Sequence, residues 1–155
     1  FMQAGEEFAR TKRGEDNSYR SELGVNQLDW TRAARFHDMI DFYRGLIGLR
    51  AAFPRLGALD KATADAIEFF SMEQPLVGWQ LAAAPGDDTP WQALAVFYNP
   101  LPEEKKIPLP EGQWRLLCDG VSSSLWRAKD SGAFCGGIRV KPYSATVQGR
   151  VAEKA

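Results

Sequence analysis

Two cysteines and one histidine are all that 155 residues offer for thiolate or imidazole chemistry. With no CxxC pair, HExxH helix or P-loop pattern, zinc, dithiol and nucleotide sites find no support, and no metal or other cofactor is expected. No window holds 18 consecutive apolar residues, so no transmembrane helix is expected. The opening FMQAGEEF lacks the basic start and long apolar stretch of a signal peptide, and the compartment stays open. A balance of 19 Lys+Arg against 20 Asp+Glu leaves a net charge of −1, spread evenly along the chain. Neither nucleic acid nor a membrane surface is therefore an expected partner. Phe1 stands where a translation start would place methionine, and Met2 follows it, so the chain is expected to be processed or a piece of something longer. Its length excludes a complete (β/α)8 barrel, which needs roughly 250 residues, but allows one or two small domains.

Hydrophobic residues make up 45% and charged residues 25%, enough to build a core without metal or disulfide staples. Cys118 and Cys135 fall in a β-like region; two buried thiols is the plainer reading of them, and spacing alone cannot decide whether they are bonded. The chain divides into unlike parts. A short strand-like piece from Phe1 to Ala4 leads into a polar stretch rich in Gly, Asn and Ser, read as a long and mobile loop. Asp29 or Thr31 offers an N-cap, after which Phe36, Met39, Ile40, Tyr43, Leu46 and Ile47 recur at helical spacing, predicting one amphipathic helix over 31–53 before Pro54. Gly45 and Gly48 inside it each cost about 1 kcal/mol against alanine, which points to a close approach by another backbone.

From about Gly57 the period changes from 3.6 to 2. Strands are predicted over 66–73, 76–83, 92–99, 105–110, 114–119 and 137–148, separated by turn clusters such as PGDDTP, NPLPEE and DGVSSS. Val77, Trp79 and Leu81 share one face, with Trp79 read as core, and Leu94, Val96 and Tyr98 share another. In the last segment the parity switches at Pro142, which predicts a bulge or a bend between sheets. The fold class that results is mainly β, an antiparallel sandwich.

The inventory for catalysis is thin. His37 lies beside Phe36 and Asp38 and reads as a surface or boundary histidine. Glu6 and Glu7 are adjacent, and on a strand they would point to opposite faces rather than converge on one bond. No pair of carboxylates is placed to work as a glycosidase pair, so no residue is assigned a catalytic role. Trp91, Trp114 and Trp126 are the positions where a sugar-stacking platform could sit, packing being the commoner fate of each.

The runs Gln3–Lys12, Asp16–Ser21 and Val25–Trp30 resemble the last barrel strand and following loop of type I pullulanases, starch-debranching members of the α-amylase superfamily, glycoside hydrolase family 13. Phe42–Ile47 with Leu49 and Arg50 resembles the eighth barrel helix of that family, and Val140–Val147 the closing strand of its C-terminal β-sandwich. The resemblance implies two parts: residues 1–55 as the end of the catalytic barrel (last strand, loop, last helix) and 56–155 as the C-terminal sandwich. It also implies a retaining α-1,6-glucan hydrolase whose Asp nucleophile, Glu acid/base and stabilising Asp all lie upstream of Phe1, leaving this chain alone inactive. Arg10, Asp16, Asn17 and Tyr19 then fall at the mouth of the barrel, suited to an α-glucan substrate, with a turn or loop-stapling role as the alternative for Arg10 and Asp16 and the plainer one for Asn17 and Tyr19. The expected partners are the rest of the barrel and the glucan. The helix face Phe36/Ile40/Tyr43/Ile47, parted from barrel strands, would be covered by the sandwich, by the loop, or by a second copy in a homodimer. An independent carbohydrate-binding sandwich is the alternative function, and a purely structural domain a third.

Overall fold

The computed structural model describes residues 2–127, 133–134 and 136–151. Two compact units divide within one helix, Phe1–Arg44 and Gly45–Ala155. In the first, the expected strand at the start is not formed over residues 2–4, and Phe1 lies outside the described residues. Left-handed Gly5 and Ala9 bracket a 3-10 turn, Glu6–Phe8, so the backbone bonds here are local: Glu6 N–H donates to Gln3, and Phe8 and Arg10 N–H both donate to Gly5. Glu6 and Glu7 therefore sit on a turn, not a strand. The polar stretch that follows holds a second 3-10 turn, Ser18–Arg20, and a short helix α1 (Leu23–Asn26), so it is not one featureless loop.

The single helix expected over 31–53 is two helices, α2 (Thr31–Arg35) and α3 (His37–Ala52). Phe36 leaves helical geometry (φ −114°, ψ 34°), with the guanidiniums of Arg32 and Arg35 4.8 and 5.4 Å from its ring centre. Asp29 Oδ1 accepts from Thr31 N–H (3.0 Å) and Thr31 Oγ1 (2.6 Å) ahead of α2, and these bonds hold its pKa below the usual value. Phe36, Ile40 and Tyr43 are half-buried, whereas Ile47 is exposed.

The second unit begins with the rest of α3, whose Leu49 is buried together with Phe53 just beyond it. A 3-10 turn, Pro54–Gly57, and helix α4 (Lys61–Asp65) follow. Periodicity could not find α4, because five residues hold barely one turn; its cap is Asp60, which accepts from Thr63 N–H at 2.8 Å. Then come β1 (Ile67–Phe69), β2 (Val77–Ala82), β3 (Ala93–Asn99), β4 (Lys105–Ile107), β5 (Gln113–Cys118), β6 (Ala133–Phe134), β7 (Ile138–Val140) and β8 (Ser144–Val151). Antiparallel pairs build one sheet of six strands, β1-β2-β3-β8-β5-β6, and one of two, β4-β7. The result is an antiparallel β-sandwich preceded by several helices.

β4 stops at Ile107, short of the predicted strand, because Pro108 and Pro110 carry no N–H for a ladder. The bend expected at Pro142 is where the chain leaves the small sheet as β7 and enters the large one as β8, with Tyr143 at φ 48°. Between the sheets lie Ala93, Ala95, Phe97, Ile107, Leu109, Trp114, Ile138 and Val140. Asn99, 1% exposed, ties this corner: its Nδ2 donates to the carbonyls of Glu103, Val140 and Lys141 (2.8, 3.1 and 3.0 Å) and its Oδ1 accepts from Leu101 N–H. The other face of the large sheet carries Val77, Trp79 and Leu81 in register with Tyr98, Val96 and Leu94. On that outer face Trp79 is half-buried rather than part of the core between the sheets.

Candidate functional site

The first unit is organised by a few side chains that hold the backbone of residues 4–32. Arg10 Nη2 donates to the Asn26 carbonyl (2.6 Å) and Nη1 to that of Ala4 (3.2 Å), while Arg32 places Nε and Nη2 on the Ala9 carbonyl (3.0 and 2.6 Å). Asn26 is the hub. Its Nδ2 donates to the carbonyls of Ser18 (2.8 Å) and Ser21 (3.2 Å), and its Oδ1 accepts from Ser18 Oγ (3.0 Å) and Lys12 Nζ (3.2 Å). Lys12 Nζ also bonds Ser18 Oγ. Gly5 is required at the base of this segment, since with φ 97° a Cβ would come within 2.9 Å of the Arg10 side chain. Phe8, 2% exposed, packs beside Trp30 with ring centres 5.4 Å apart.

The predicted site residues divide within this frame. Arg10 is half-buried and turned into the segment, its guanidinium spent on carbonyl oxygens, whereas Asp16, Asn17 and Tyr19 stand exposed. Asp16 Oδ1 accepts from Asn17 N–H (2.9 Å), an arrangement that fixes the turn and leaves Oδ2 for another partner. Tyr19 is 78% exposed, with Arg20 Nε donating to its hydroxyl at 3.0 Å. Asp16 and Asn17 are joined; no hydrogen bond joins Arg10 or Tyr19 to them among the described residues. Lys12, Ser18, Asn26 and Arg32 were missed as organisers of the loop, because bonds that span 5 to 23 residues have no local spacing to reveal them.

The remaining candidates are placed as follows. Glu7 Oε2 accepts from Gly5 N–H (2.9 Å), a backbone tie. His37 is exposed, with Nε2 2.8 Å from Asp38 Oδ1. Among the described residues no three His, Cys, Asp or Glu side chains gather where they could hold a metal ion. No helix among them is long and apolar enough to cross a membrane. Cys118 is a buried free thiol, its pKa pushed up to about 11 by burial and, second, by the Asp119 charge; Cys135 lies outside the described residues.

The aromatic platforms are mostly withdrawn. Trp91 and Trp114 are buried, and Trp126, half-buried, meets Trp91 edge to face at 6.2 Å and donates its Nε1–H to the Ser123 carbonyl. Between the sheets a hollow of about 550 Å³ opens beside Phe70, Met72, Leu76, Gln80 and Leu109. Its walls are mostly apolar, with Glu73, Gln80 and Lys106 among them, and Phe70 stacks on Phe97 at 5.3 Å. Asp119 instead organises a turn: Oδ1 accepts from Val121 and Ser122 N–H, and Oδ2 from Lys141 Nζ. Burial raises the Asp119 pKa, yet these bonds outweigh it and leave the group lowered.

Comparison with known proteins adds the context that geometry alone leaves open. Residues 64–122 match the family model described as the pullulanase all-beta domain. A pullulanase of Bacillus subtilis (strain 168) is 34% identical over 121 residues, which cover 77% of this chain and 17% of that protein. Among solved structures, the pullulanase from Bacillus acidopullulyticus matches 97% of this chain and 18% of its own, at 31% identity and a TM-score of 0.84. The D470A mutant of the Paenibacillus barengoltzii pullulanase, complexed with maltotetraose, matches 98% of this chain and 23% of its own, at 31% identity and a TM-score of 0.78. The chain thus spans about a fifth of the length of these relatives.

Proposed function

From a chain that matches the C-terminal all-beta region of pullulanases, debranching enzymes of glycoside hydrolase family 13, we propose that residues 1–155 form the C-terminal part of an enzyme that hydrolyses α-1,6-glucosidic linkages in pullulan or branched glucan. The supporting observation is the extent of the match, which runs through both the helical segment and the sandwich and covers 97% of the chain. In this reading residues 1–55 complete the catalytic barrel and 56–155 form the sandwich that stabilises it. The acid, nucleophile and stabilising carboxylates belong to the preceding chain, so residues 1–155 alone are catalytically silent. The partner of the segment is the rest of the barrel, and self-association through the α3 face is confined to the isolated chain.

Asp16, Asn17 and Tyr19 are the side chains of this segment that meet glucan, by hydroxyl hydrogen bonds and by ring packing against a pyranose face. Arg10 acts behind them, holding the loop in shape through the Asn26 and Ala4 carbonyls. The test is release of reducing ends from pullulan by the longer protein and by residues 1–155 alone. The longer protein is expected to be active and the short one inactive. In the longer protein Tyr19→Ala should raise KM several-fold with kcat little changed. No hydrolysis of pullulan by the longer protein would refute the reading.

A further inference from the structure

Ser18 is held from three directions. It is 5% exposed, while its neighbours Asn17 and Tyr19 stand in solvent. Its Oγ–H donates to Asn26 Oδ1 (3.0 Å), its Oγ accepts from Lys12 Nζ, and its carbonyl accepts from Asn26 Nδ2 (2.8 Å). A hydroxyl has one proton. With that proton given to Asn26 the oxygen accepts from Lys12, so the hydrogen-bond chain through Lys12, Ser18 and Asn26 is polarised in one direction from a cation. Lys12 Nζ also reaches Asn26 Oδ1 directly (3.2 Å), which closes the ring. Both of its acceptors are neutral oxygens.

Little else holds the middle of this loop. Its regular pieces are the three-residue turn Ser18–Arg20 and the four-residue α1, too short to persist unaided. Between Arg10 and Trp30 only Ser18 and Val25 are buried. The Arg10 bonds secure the segment at Ala4 and Asn26, whereas Lys12 and Asn26 grip Ser18 between them.

We infer that Lys12 is a positioning residue for glucan: by fixing Ser18 it presents Asn17 and Tyr19, on either side, in one arrangement before substrate arrives. The inference rests on the reading above that these two residues meet glucan, and it adds a residue that acts on affinity without touching the sugar. Its consequence is a split in kinetics. When the loop is free to wander, its binding-competent form is only partly populated and apparent affinity falls by that fraction, whereas saturating substrate selects the competent form and leaves the bound complex as before. Hydrogen bonds from an ammonium are the stronger kind, and losing two of them should raise KM about tenfold while kcat changes less than about twofold. A lysine with a merely structural role behaves otherwise: its loss unfolds a share of the molecules, which lowers kcat per mole of protein and leaves KM where it was.

The test is pullulan hydrolysis by the longer protein carrying Lys12→Met or Ser18→Ala, with Lys61→Met, in the exposed Lys61–Asp65 pair, as the control. Both node variants are expected to raise KM about tenfold and the control to leave it unchanged. Rescue is sought in a Cys135→Ser background, cleared likewise of accessible thiols in the preceding chain, where Cys118 is buried. There Lys12→Cys treated with bromoethylamine regains an ammonium close to the lysine position and should recover the parent KM, whereas ethylation with iodoethane, which adds no charge, should not. An unchanged KM in Lys12→Met, a fall in kcat alone, or equal recovery with both reagents would overturn the inference. Chymotrypsin cleavage after exposed Tyr19, followed by mass spectrometry on the same proteins without substrate, needs no activity: it should be at least about fivefold faster in Lys12→Met, and equal rates would overturn the inference by themselves. A parent protein that leaves pullulan uncut refutes the enzymatic reading instead, while the cleavage rates still decide whether Lys12 holds the loop.

Discussion

Gly45→Ala tests whether α3 is held against the sandwich by the absence of a side chain. In an unencumbered helix the change is favourable by about 1 kcal/mol, because alanine is the better helix former. Here a Cβ on Gly45 would stand 2.0 Å from Ser123 Oγ and 2.7 Å from both the carbonyl carbon and oxygen of Ser123. A rotamer change removes the first contact but not the other two. Ordinary contact begins at 3.4 Å, so backbone must retreat by about 0.7 Å. The Ser123 side cannot yield cheaply, since Asp119 pins that turn through Val121, Ser122 and Lys141. Movement of α3 instead disturbs Leu49 and, beyond its end, Phe53, both buried. Overpacking of this kind costs up to about 3 kcal/mol, leaving a net loss of about 2 kcal/mol after the gain in helix propensity. For a chain of this size that corresponds to a fall in Tm of about 4–8 °C. Thermal and urea unfolding followed by far-UV circular dichroism and tryptophan fluorescence would measure it. Gly24→Ala, with no atom within 4 Å of its Cβ, is the control and should gain about 0.5–1 kcal/mol. Gly48→Ala should fall between them, because its nearest neighbours are the Arg127 and Trp126 side chains rather than backbone. A Gly45→Ala protein as stable as the parent would refute the reasoning.

Three further outcomes are expected. Asn99→Leu should lower unfolding free energy by about 3 kcal/mol, since buried carbonyls at the β3–β7 corner lose their donor; a urea midpoint within error of the parent would contradict this. Gln148 is fully buried, yet neither its amide oxygen nor its nitrogen has a partner among the described residues, so Gln148→Met should be stabilising by about 1–2 kcal/mol, and a clear loss in urea would count against it. The Cys118 thiol is pushed up from 9.0 to about 11, so the fold favours its neutral form; that contribution is complete below pH 9 and is lost as pH rises through 11. The stability difference between parent and Cys118→Ala should therefore shift against the parent over that interval, and a pH-independent difference would disprove it.

How far the fold could be read from sequence depended on whether the determining contacts were local. β2 and β3 were legible because alternation and apolar runs are set by burial on a pleat, and the crossing between sheets was legible because Pro142 removes a donor just where facing parity changes. β1 was overextended to 66–73, since pairing covers three residues and its last bond to β2 is from Phe70 N–H to the Gly78 carbonyl. The start of the chain was misread as a strand because its residues suit one, while left-handed geometry at Gly5 and Ala9 diverts the bonds into a turn. At the candidate site, Asp16, Asn17 and Tyr19 stand exposed, as a role toward a glucan would require. The inward commitment of Arg10 was not legible, because its partner Asn26 lies 16 residues away. Gly45 was legible as a close approach, though not that the approaching backbone would be a turn held by Asp119.

The placement of β8 gives the molecule an order of completion. β8 is the last strand among the described residues, yet it lies between β3 and β5, with Ala93 paired to Arg150 and Trp114 paired to Arg150 from the other side. A nascent chain that has emerged only as far as β7 holds two half-sheets, β1-β2-β3 and β5-β6, with no seam between them. Neither half can hide its hydrogen-bonding edge until Ser144–Val151 arrives. A message truncated before the codon for Ser144 would thus release a chain with two sticky borders, a substrate for chaperones and proteases rather than a shorter version of the sandwich.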